Sequence, residues 1–525
     1  MKMMKHNALL RLLLVALVLC LMLPLFAACG EPEGTPNTDD KQDQPGQSDQ
    51  PNQPDQPGQN TPDKDDPTQD VPGKDDPEDP ADIYDVPDSL PESANYGTTF
   101  TILYLHEKFA AEFWVDANTG GVIDNAVYSA ICSTEERFGV DIVAVASGAG
   151  SEIDHISNIR NQINGGMPDF DMARGHDVQG ANLSLEGSLL DLYSIDALDF
   201  TKPWWPQNTI NSLTFMGQMY LISSSISYKG LSSTSALFFN KDLMDDHGYD
   251  LPYEQVQSGD WYLEDMLSSV EDFHLEGDAG VEGKSDDDTF GIVIPWQLYA
   301  WQESFGIELV QKDADTGELV LNGHDERVYD LIDLLYGVCW ENDGGYMIER
   351  TKAKVVFGEG RALYIPVDLG AAVTDFLNYD VDYGIIPYPK LDETQEKYYS
   401  GYTDRYFFIP FNCPDKEYVG TILESMSAEG YRQVTPAYFE VALKNRYTKD
   451  ETSKEMVDLI KQSMILDFAY VYGADQWWSR ALYHLISGNG KEASTDYASY
   501  YKEMLPKAEA RVELVTKAFQ EMGED

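Results

Sequence analysis

The stretches TFTILYL (residues 99–105), GVIDNAVYSAICSTEERF (121–138) and VDIVAV (140–145) indicate the fold class of this chain. The first and third are rich in β-branched and aromatic residues, which favour strands. The middle stretch carries apolar residues at the spacing of one helix face, and Gly139 stands where a helix would end. A strand, a helix and a second strand in this order predict an α/β fold.

The alternation continues along the chain. Helices are predicted at residues 153–163 and 327–340, and the last hundred residues are mostly helical in pattern. Further strands are predicted at residues 170–173, 236–239, 291–294, 361–366 and 383–386. Strands that alternate with helices predict a parallel sheet covered by helices.

Before the first strand lies a segment with a different composition. Residues 31–95 hold 19 acidic side chains, three lysines and 13 of the 26 prolines. So few apolar residues, with so much net charge, cannot offset the entropy lost when a chain becomes ordered. We therefore predict a disordered acidic linker over residues 29–95 and a folded domain over residues 96–525.

The amino terminus has the pattern of an export signal. Basic residues precede an apolar run over residues 12–28, which is short for a membrane span. The sequence FAACG (26–30) resembles the processing box of bacterial lipoproteins, although that family prefers Leu where Phe26 stands. The resemblance implies a lipoprotein signal peptide over residues 1–28, a lipid on Cys29, and a location on the outer face of the cell membrane, which is the periplasmic side if an outer membrane exists. The alternative is an ordinary or uncleaved signal with an incidental Cys29.

Charge and cysteine content exclude several functions. The chain has 91 acidic and 36 basic residues, and its net charge of −55 repels nucleic acids and anionic lipid surfaces. Cys132, Cys339 and Cys413 lack the spacing of a metal site or a redox pair and are predicted to be inert buried thiols. No metal or cofactor is expected. The segment DADTG (313–317) is predicted to be a hairpin turn, because its glycine is misplaced for a calcium loop.

Eight short motifs occur in a particular order. They are GMPDFD (166–171), LLDL (189–192), KPWW (202–205), GQMY (217–220), FFNKDL (238–243), GDW (259–261), FGEGRAL (357–363) and YGIIPYPK (383–390). In this order, behind an apparent lipoprotein signal, they resemble family 1 of the extracellular solute-binding proteins, the maltose-binding-protein-like sugar-binding lipoproteins of ABC transporters. The resemblance covers residues 97–525.

The resemblance implies a type II periplasmic-binding-protein clamshell, with two α/β lobes that are discontinuous in sequence and joined by a hinge. We expect lobe 1 at about residues 97–235 and 383–430, and lobe 2 at about residues 236–382 and 431–525. The implied protein is a monomer that captures a carbohydrate, an oligosaccharide in particular, and delivers it to the transmembrane subunits of an ABC permease. It is expected not to be an enzyme. A glycoside hydrolase and a sensor or adhesion module on the same scaffold remain alternatives.

Sugar sites combine aromatic rings with hydrogen-bonding side chains. The resemblance points to Trp205, since relatives carry a Trp in the matching stretch, and the alternative is a structural plug formed by Trp204 and Trp205. It also points to Trp296 and Trp301, which could instead be half-buried core, and to Trp477 and Trp478, of which one at most would face the cleft.

Polar ligand contacts are expected where strands end, because open α/β sheets bind ligands at the carboxyl ends of their strands. The candidates, each with a solvated loop charge as its alternative, are His106, Glu107, Arg174, His176, Asp177, Asp368 and Asp404. Lys241 and Asp242 are instead predicted to start a helix that Asn240 caps.

Overall fold

The strand-forming runs of the sequence form two main sheets, and four short strands form two further two-stranded sheets. This structure, a computed structural model, describes residues 82–277, 283–296, 298–439, 451–473, 480–487 and 492–524. The predictions for Cys29, Trp477 and Trp478 and for the linker before residue 82 lie outside these residues.

In chain order the strands are β1 (Thr98–Tyr104), β2 (Val140–Ala146), β3 (Met172–His176), β4 (Ser235–Asn240), β5 (His274–Leu275), β6 (Thr289–Pro295), β7 (Val310–Lys312), β8 (Leu319–Leu321), β9 (Gly345–Ile348), β10 (Ala362–Asp368), β11 (Tyr383–Ile386), β12 (Ser400–Gly401), β13 (Arg405–Phe408) and β14 (Met464–Ile465).

Helices separate most of these strands. They are α1 (Val122–Phe138), α2 (Glu152–Asn164), α3 (Asp177–Leu185), α4 (Gln207–Leu213), α5 (Lys229–Ser232), α6 (Lys241–His247), α7 (Tyr253–Ser258), α8 (Leu263–Val270), α9 (Tyr299–Ser304), α10 (Glu326–Tyr336), α11 (Arg350–Gly358), α12 (Gly370–Val373), α13 (Lys416–Glu429), α14 (Glu451–Gln462), α15 (Phe468–Gly473), α16 (Ala481–Ile486) and α17 (Tyr497–Gly523). In the described part of the chain, no helix is both long enough and apolar enough to cross a membrane.

The first lobe is built on a sheet with the strand order β13-β3-β1-β2. Strand β1 runs parallel to β2 and β3, while β13 is antiparallel to β3. Helix α1 packs against β2 and α2 against β3. The α/β opening predicted from residues 99–145 is therefore confirmed.

The second lobe is built on a sheet with the order β11-β4-β10-β6-β5, in which β9 also pairs with β6. Strand β4 is antiparallel to both of its neighbours, and β6 is parallel to β9 and β10. The resemblance places residues 383–386 in lobe 1, but they form β11 and pair with β4 over four residues, three of them buried. The chain returns to the first sheet only at β13.

The carboxyl-terminal helices contact both lobes, although residues 431–525 were expected in lobe 2. Helix α14 packs on β11 and α7 of the second lobe, and α15 packs on α3 of the first. Helix α17 contacts both β8 and α3. These helices therefore add connections between the lobes beyond the strands that cross between them.

Two local predictions agree with the structure. The Asn240 side chain accepts a hydrogen bond of 3.1 Å from the Leu243 amide and caps α6. Strands β7 and β8 form an antiparallel hairpin, and the Asp313 carboxylate accepts a bond of 2.7 Å from the Thr316 amide in its turn.

Helix α13 continues directly into a π-helical turn, Gly430–Val434. Gly430 lies against the main chain of the segment before β4, where a Cβ atom would stand 2.2 Å from the Ser225 carbonyl oxygen. Only glycine allows this approach. The turn leads to the buried side chain of Tyr438.

Residues 82–95 belong to the folded part, not to the linker as their composition suggested. Tyr84 is buried and its ring lies 5.2 Å from that of Tyr431. The Asp88 carboxylate accepts two bonds of 2.8 Å from Arg137 and one of 2.9 Å from Arg432. Burial alone would raise the pKa of Asp88, but these two guanidinium groups hold it well below its usual range.

Trp204 and Trp205 lie in the core of the first lobe. Trp205 is 1% exposed, and the indole N–H groups of both residues donate bonds of 3.1 Å to Glu424. Burial raises the pKa of Glu424 to about 7. Of the two interpretations of Trp205, this position favours the structural plug over the ligand contact.

Replacing Asp88 with Asn should lower the free energy of unfolding by about 2 kcal/mol at pH 7, because hydrogen bonds to a charged group are lost. The difference from the wild type should shrink below about pH 4, where the unfolded chain takes up a proton that folded Asp88 does not. Denaturant unfolding at several pH values measures this. Glu92→Gln, an exposed change in the same segment, serves as control. An equal loss at acid and neutral pH would contradict the charge-based role.

Replacing Trp205 with Ala should destabilise the fold by about 3–5 kcal/mol, the usual loss for a buried aromatic residue. Trp296→Ala is the matched control, because that side chain is 46% exposed and its removal should change stability by less than about 1 kcal/mol. Thermal and denaturant unfolding compare the two variants. An unchanged melting temperature together with weaker sugar binding would return Trp205 to the ligand site.

Candidate functional site

The two main sheets each present one edge, with carboxyl ends of parallel strands, to the same cavity. At this edge the first sheet has the carboxyl ends of β1 and β3, and the second has the carboxyl ends of β6 and β10. A cavity of about 530 Å³ takes its walls from both lobes. We call it the interlobe cleft, and define it by Lys108, Glu112, Asp124, Tyr228, Lys229, Lys354, Asp368, Asp375 and Tyr438. A side compartment of about 120 Å³ shares Lys229 and Asp368 with it.

The first-lobe wall is a 3₁₀ turn, Glu107–Glu112, that follows β1. The His106 ring caps this turn by accepting a bond of 3.2 Å from the Lys108 amide. The turn directs Lys108 and Glu112 toward the cleft, while Glu107 is exposed outside its wall. Sequence reasoning thus selected this loop, but its ligand candidate Glu107 does not line the cavity.

Arg174 lies completely buried beneath the cleft. Its guanidinium donates bonds of 2.9 Å to Glu112, 2.8 Å to Ser227 and 3.4 Å to Asp404. Burial raises the pKa of Asp404 to about 6, against the opposing effect of Arg174. Two sequence candidates, Arg174 and Asp404, are therefore brought together, but they support Glu112 from behind and do not line the cavity.

Asp177 is also fully buried and lies outside the cleft wall. Its carboxylate contacts the His176 ring at 2.5 Å and accepts a bond of 2.6 Å from the Val178 amide at the start of α3. These contacts give Asp177 a local role at the helix terminus in this structure.

Asp368 is the candidate that the structure places in the cleft wall, at the end of β10. Its carboxylate accepts a hydrogen bond from Arg350, which lines the side compartment. Nearby, the Lys354 ammonium donates a bond of 2.7 Å to Asp375. The second-lobe wall therefore offers carboxylates and cations side by side.

An aromatic pair that the sequence analysis missed also lines the cleft. The rings of Tyr228 and Tyr438 stack with centroids 4.9 Å apart and an interplanar angle of 14°. Burial raises the pKa of Tyr228 to about 12, so it carries a neutral hydroxyl. Tyr228 precedes β4, whose amino end shares the cleft edge because β4 runs antiparallel to β10. The polar candidates of the sequence analysis came from the carboxyl ends of strands, so they did not include Tyr228.

The tryptophans of the second lobe have different environments. Trp301 is 1% exposed, with its ring edge-on to Tyr388 at 4.9 Å, so it is a core residue. Trp296 directly follows β6 and is half exposed beside Pro295, which lines the side compartment. Of these two, only Trp296 is placed where a ligand in that compartment could reach it.

Among the described residues, no group of three or more His, Cys, Asp or Glu side chains is positioned to hold a metal ion. A larger cavity, of about 710 Å³, is bordered by α4, by the segment from α9 to β7, and by the segment from β14 to α15. We place the candidate site in the interlobe cleft because ligands of open α/β sheets bind at the carboxyl ends of the strands.

Comparisons with known proteins give similarity only at the level of structure. No protein-family model matches the chain, and no curated protein matches it. A sugar transporter from Rhizobium etli in an open conformation is similar, with a TM-score of 0.51 and 16% identity over 80% of this chain and 99% of that one. The maltose–maltodextrin binding protein of Alicyclobacillus acidocaldarius has a TM-score of 0.49 and 13% identity, over 80% of this chain and 100% of that one.

The similarity to the Rhizobium protein covers most of the chain and agrees with the two sheets and crossing segments described above. The chain therefore has the two-lobed α/β clamshell of the type II periplasmic-binding-protein fold, with hinge-linked lobes that are discontinuous in sequence.

Proposed function

We propose that this protein is an extracellular, lipid-anchored substrate-binding protein that captures a carbohydrate in the interlobe cleft and delivers it to an ABC importer. The observation that carries the proposal is that both lobes line the same cavity. A ligand can drive closure of two lobes only if it binds the closed state better, and contacts to both lobes provide that difference.

The chemistry of the cleft supports a saccharide as the ligand. Sugars present C–H faces that stack on aromatic rings and hydroxyls that both donate and accept hydrogen bonds. The Tyr228 ring, which stacks on the buried Tyr438 ring behind it, offers a ring surface, and Lys229 and Asp368 offer a donor and an acceptor. Since Lys229 and Asp368 border both compartments, a ligand longer than one ring could contact both, which favours an oligosaccharide.

Two further observations support the transport role. The similar Rhizobium protein is named a sugar transporter. The lipoprotein-like box at Cys29 would hold the folded domain at the membrane surface, where a permease could receive the ligand. We propose that the partners are the transmembrane subunits of that permease and that the protein acts as a monomer.

A hydrolase is less consistent with the cleft. General acid catalysis of glycoside cleavage requires a carboxyl group kept protonated. Glu112, Asp368 and Asp375, three carboxylates of the cleft wall, are each already engaged by an Arg or Lys side chain of the protein. We therefore propose binding without turnover.

Sugar binding can be tested with a panel of glucose, maltotriose, cellotriose, xylotriose and mannotriose. A thermal-shift screen identifies the sugar that stabilises the protein, and calorimetry measures its Kd. Asp368→Ala and Tyr228→Ala should each weaken binding at least tenfold, because they remove a hydrogen-bonding and a stacking partner. Asp246→Ala, an exposed change on α6, should leave the Kd unchanged.

The same samples separate the alternatives. Bound sugar recovered intact supports the receptor, and cleaved sugar detected by chromatography would establish a hydrolase instead. If Asp368→Ala and Tyr228→Ala bind the sugar as well as the wild type, the interlobe cleft is not the site.

Membrane anchoring can be tested separately in the cell. Cys29→Ser should move the protein from the membrane fraction to the soluble extracellular or periplasmic fraction, because serine cannot take the thioether-linked lipid. Fractionation and immunoblotting measure this, with Cys132→Ser as the matched control. Continued membrane association of Cys29→Ser would leave the incidental-cysteine alternative.

A further inference from the structure

The larger cavity, of about 710 Å³, is lined by charged groups that the proposed transport function does not use. We call it the acidic cavity and define it by Glu303, Glu308, Lys312, Tyr398, Asp467 and Phe468. Its walls come from α4, from α9 and the segment after it, from the segment before β12, from the end of α14, and from the segment that runs from β14 into α15. Its size is within the range of small-molecule sites, about 300–1,000 Å³.

Two of its carboxylates are almost completely buried and incompletely bonded. Glu303 is 5% exposed and Asp467 is 8% exposed. Among the described residues, neither Glu303 Oε2 nor Asp467 Oδ2 has a hydrogen-bond partner. The two groups are close, since the Asp467 amide donates to Glu303 and the two carboxylates repel each other. Buried polar atoms almost always have partners, so an unpaired oxygen on each group indicates a missing one.

The nearby lysine does not neutralise this pair. The Lys312 ammonium donates bonds of 2.9 Å and 2.7 Å to the carbonyls of Asn211 and Thr214, and a further bond to the Ser212 carbonyl. Its three donors are therefore directed to the α4 main chain. Burial lowers the pKa of Lys312 to about 8, against the opposing effect of Glu308.

The other groups that face Glu303 increase the negative potential. The Asp177 carboxylate on α3 repels it from the first lobe, and Glu308 repels Asp467. Gly401 also lies close to Glu303, since a Cβ atom on residue 401 would stand 1.8 Å from Glu303 Oε2. Burial and this repulsion raise the pKa of Glu303 well above its usual value and that of Asp467 to about 7.

We propose that the acidic cavity binds a small organic cation with a primary ammonium group, held by Glu303 and Asp467. An ammonium has three N–H donors, which can satisfy the two free oxygens. A calcium ion would need six to eight oxygen ligands, and in the described ranges no three His, Cys, Asp or Glu side chains are positioned to hold a metal ion. The proposal does not depend on sugar binding in the interlobe cleft.

Putrescine is the probe, and 1,4-butanediol is its neutral analogue. Calorimetry of the purified protein in 150 mM NaCl at pH 8 should detect one putrescine and no butanediol. Glu303→Gln and Asp467→Asn should each weaken putrescine binding at least tenfold. Asp246→Asn, an exposed change on α6 outside the cavity wall, should alter the Kd less than twofold. Circular dichroism and melting temperature verify that each variant is folded.

Proton exchange gives a test that needs no variant. Bound ammonium replaces a proton on the carboxyl pair, so the wild type should release protons on binding, detected as a difference in heat between Tris and Pipes buffers. Binding should also tighten between pH 6 and pH 8. Absence of putrescine binding, binding that survives both substitutions, or calcium binding in place of putrescine would each overturn the proposal.

Discussion

The buried guanidinium of Arg174 is the constraint on which the cleft depends. Leaving such a charge unpaired away from water would cost several kcal/mol, so the chain must bring acceptors to it. Those acceptors come from the turn after β1, from the segment before β4 and from the residue before β13. Three segments far apart in sequence therefore converge at one point of the first lobe. The rings of Phe113 and Phe407, 4.9 Å and 5.5 Å from the guanidinium carbon, enclose it further. The orientation of Glu112, and with it one wall of the cleft, follows from this arrangement.

Local patterns predicted the strands well and their partners less well. The bounds of β1, β2, β4 and β11 fall within one or two residues of the predicted ones. Runs of β-branched and aromatic residues favour a strand whatever lies elsewhere in the sequence. The sheet to which β11 belongs depends on pairing with β4, which lies well over a hundred residues earlier. Composition also gave a wrong prediction for residues 82–95, which it assigned to the disordered linker. A few contacts, such as those of Asp88 with Arg137 and Arg432, can order a segment that is mostly polar. Both errors concern long-range contacts that no short window contains.

The parts of the candidate site that lie at the carboxyl ends of strands could be predicted from the sequence. Asp368 lies in the cleft wall, and Arg174 and Asp404 lie directly behind it. Tyr228 and Tyr438 could not be found in that way, because Tyr228 precedes an antiparallel strand and Tyr438 lies in a helical segment. The large aromatic side chains that seemed most suited to sugar stacking, Trp205 and Trp301, are instead core residues. An indole N–H that finds a buried acceptor, as Trp205 does in Glu424, is as compatible with a core as with a ligand.

The π-helical turn at Gly430–Val434 makes the cleft sensitive to chain length. A π turn contains one more residue than an α turn, so every residue after it is rotated by about 100° relative to a regular helix. In this structure, with the extra residue present, the Tyr438 ring stacks on that of Tyr228. Loss of a single residue from this turn would regularise the helix and rotate the Tyr438 ring away from the cleft, with no change to any residue that lines it. In proteins of this fold, a one-residue insertion or deletion in a helix remote from the strand edges is therefore a route to a new binding preference that comparison of cleft residues alone would not reveal.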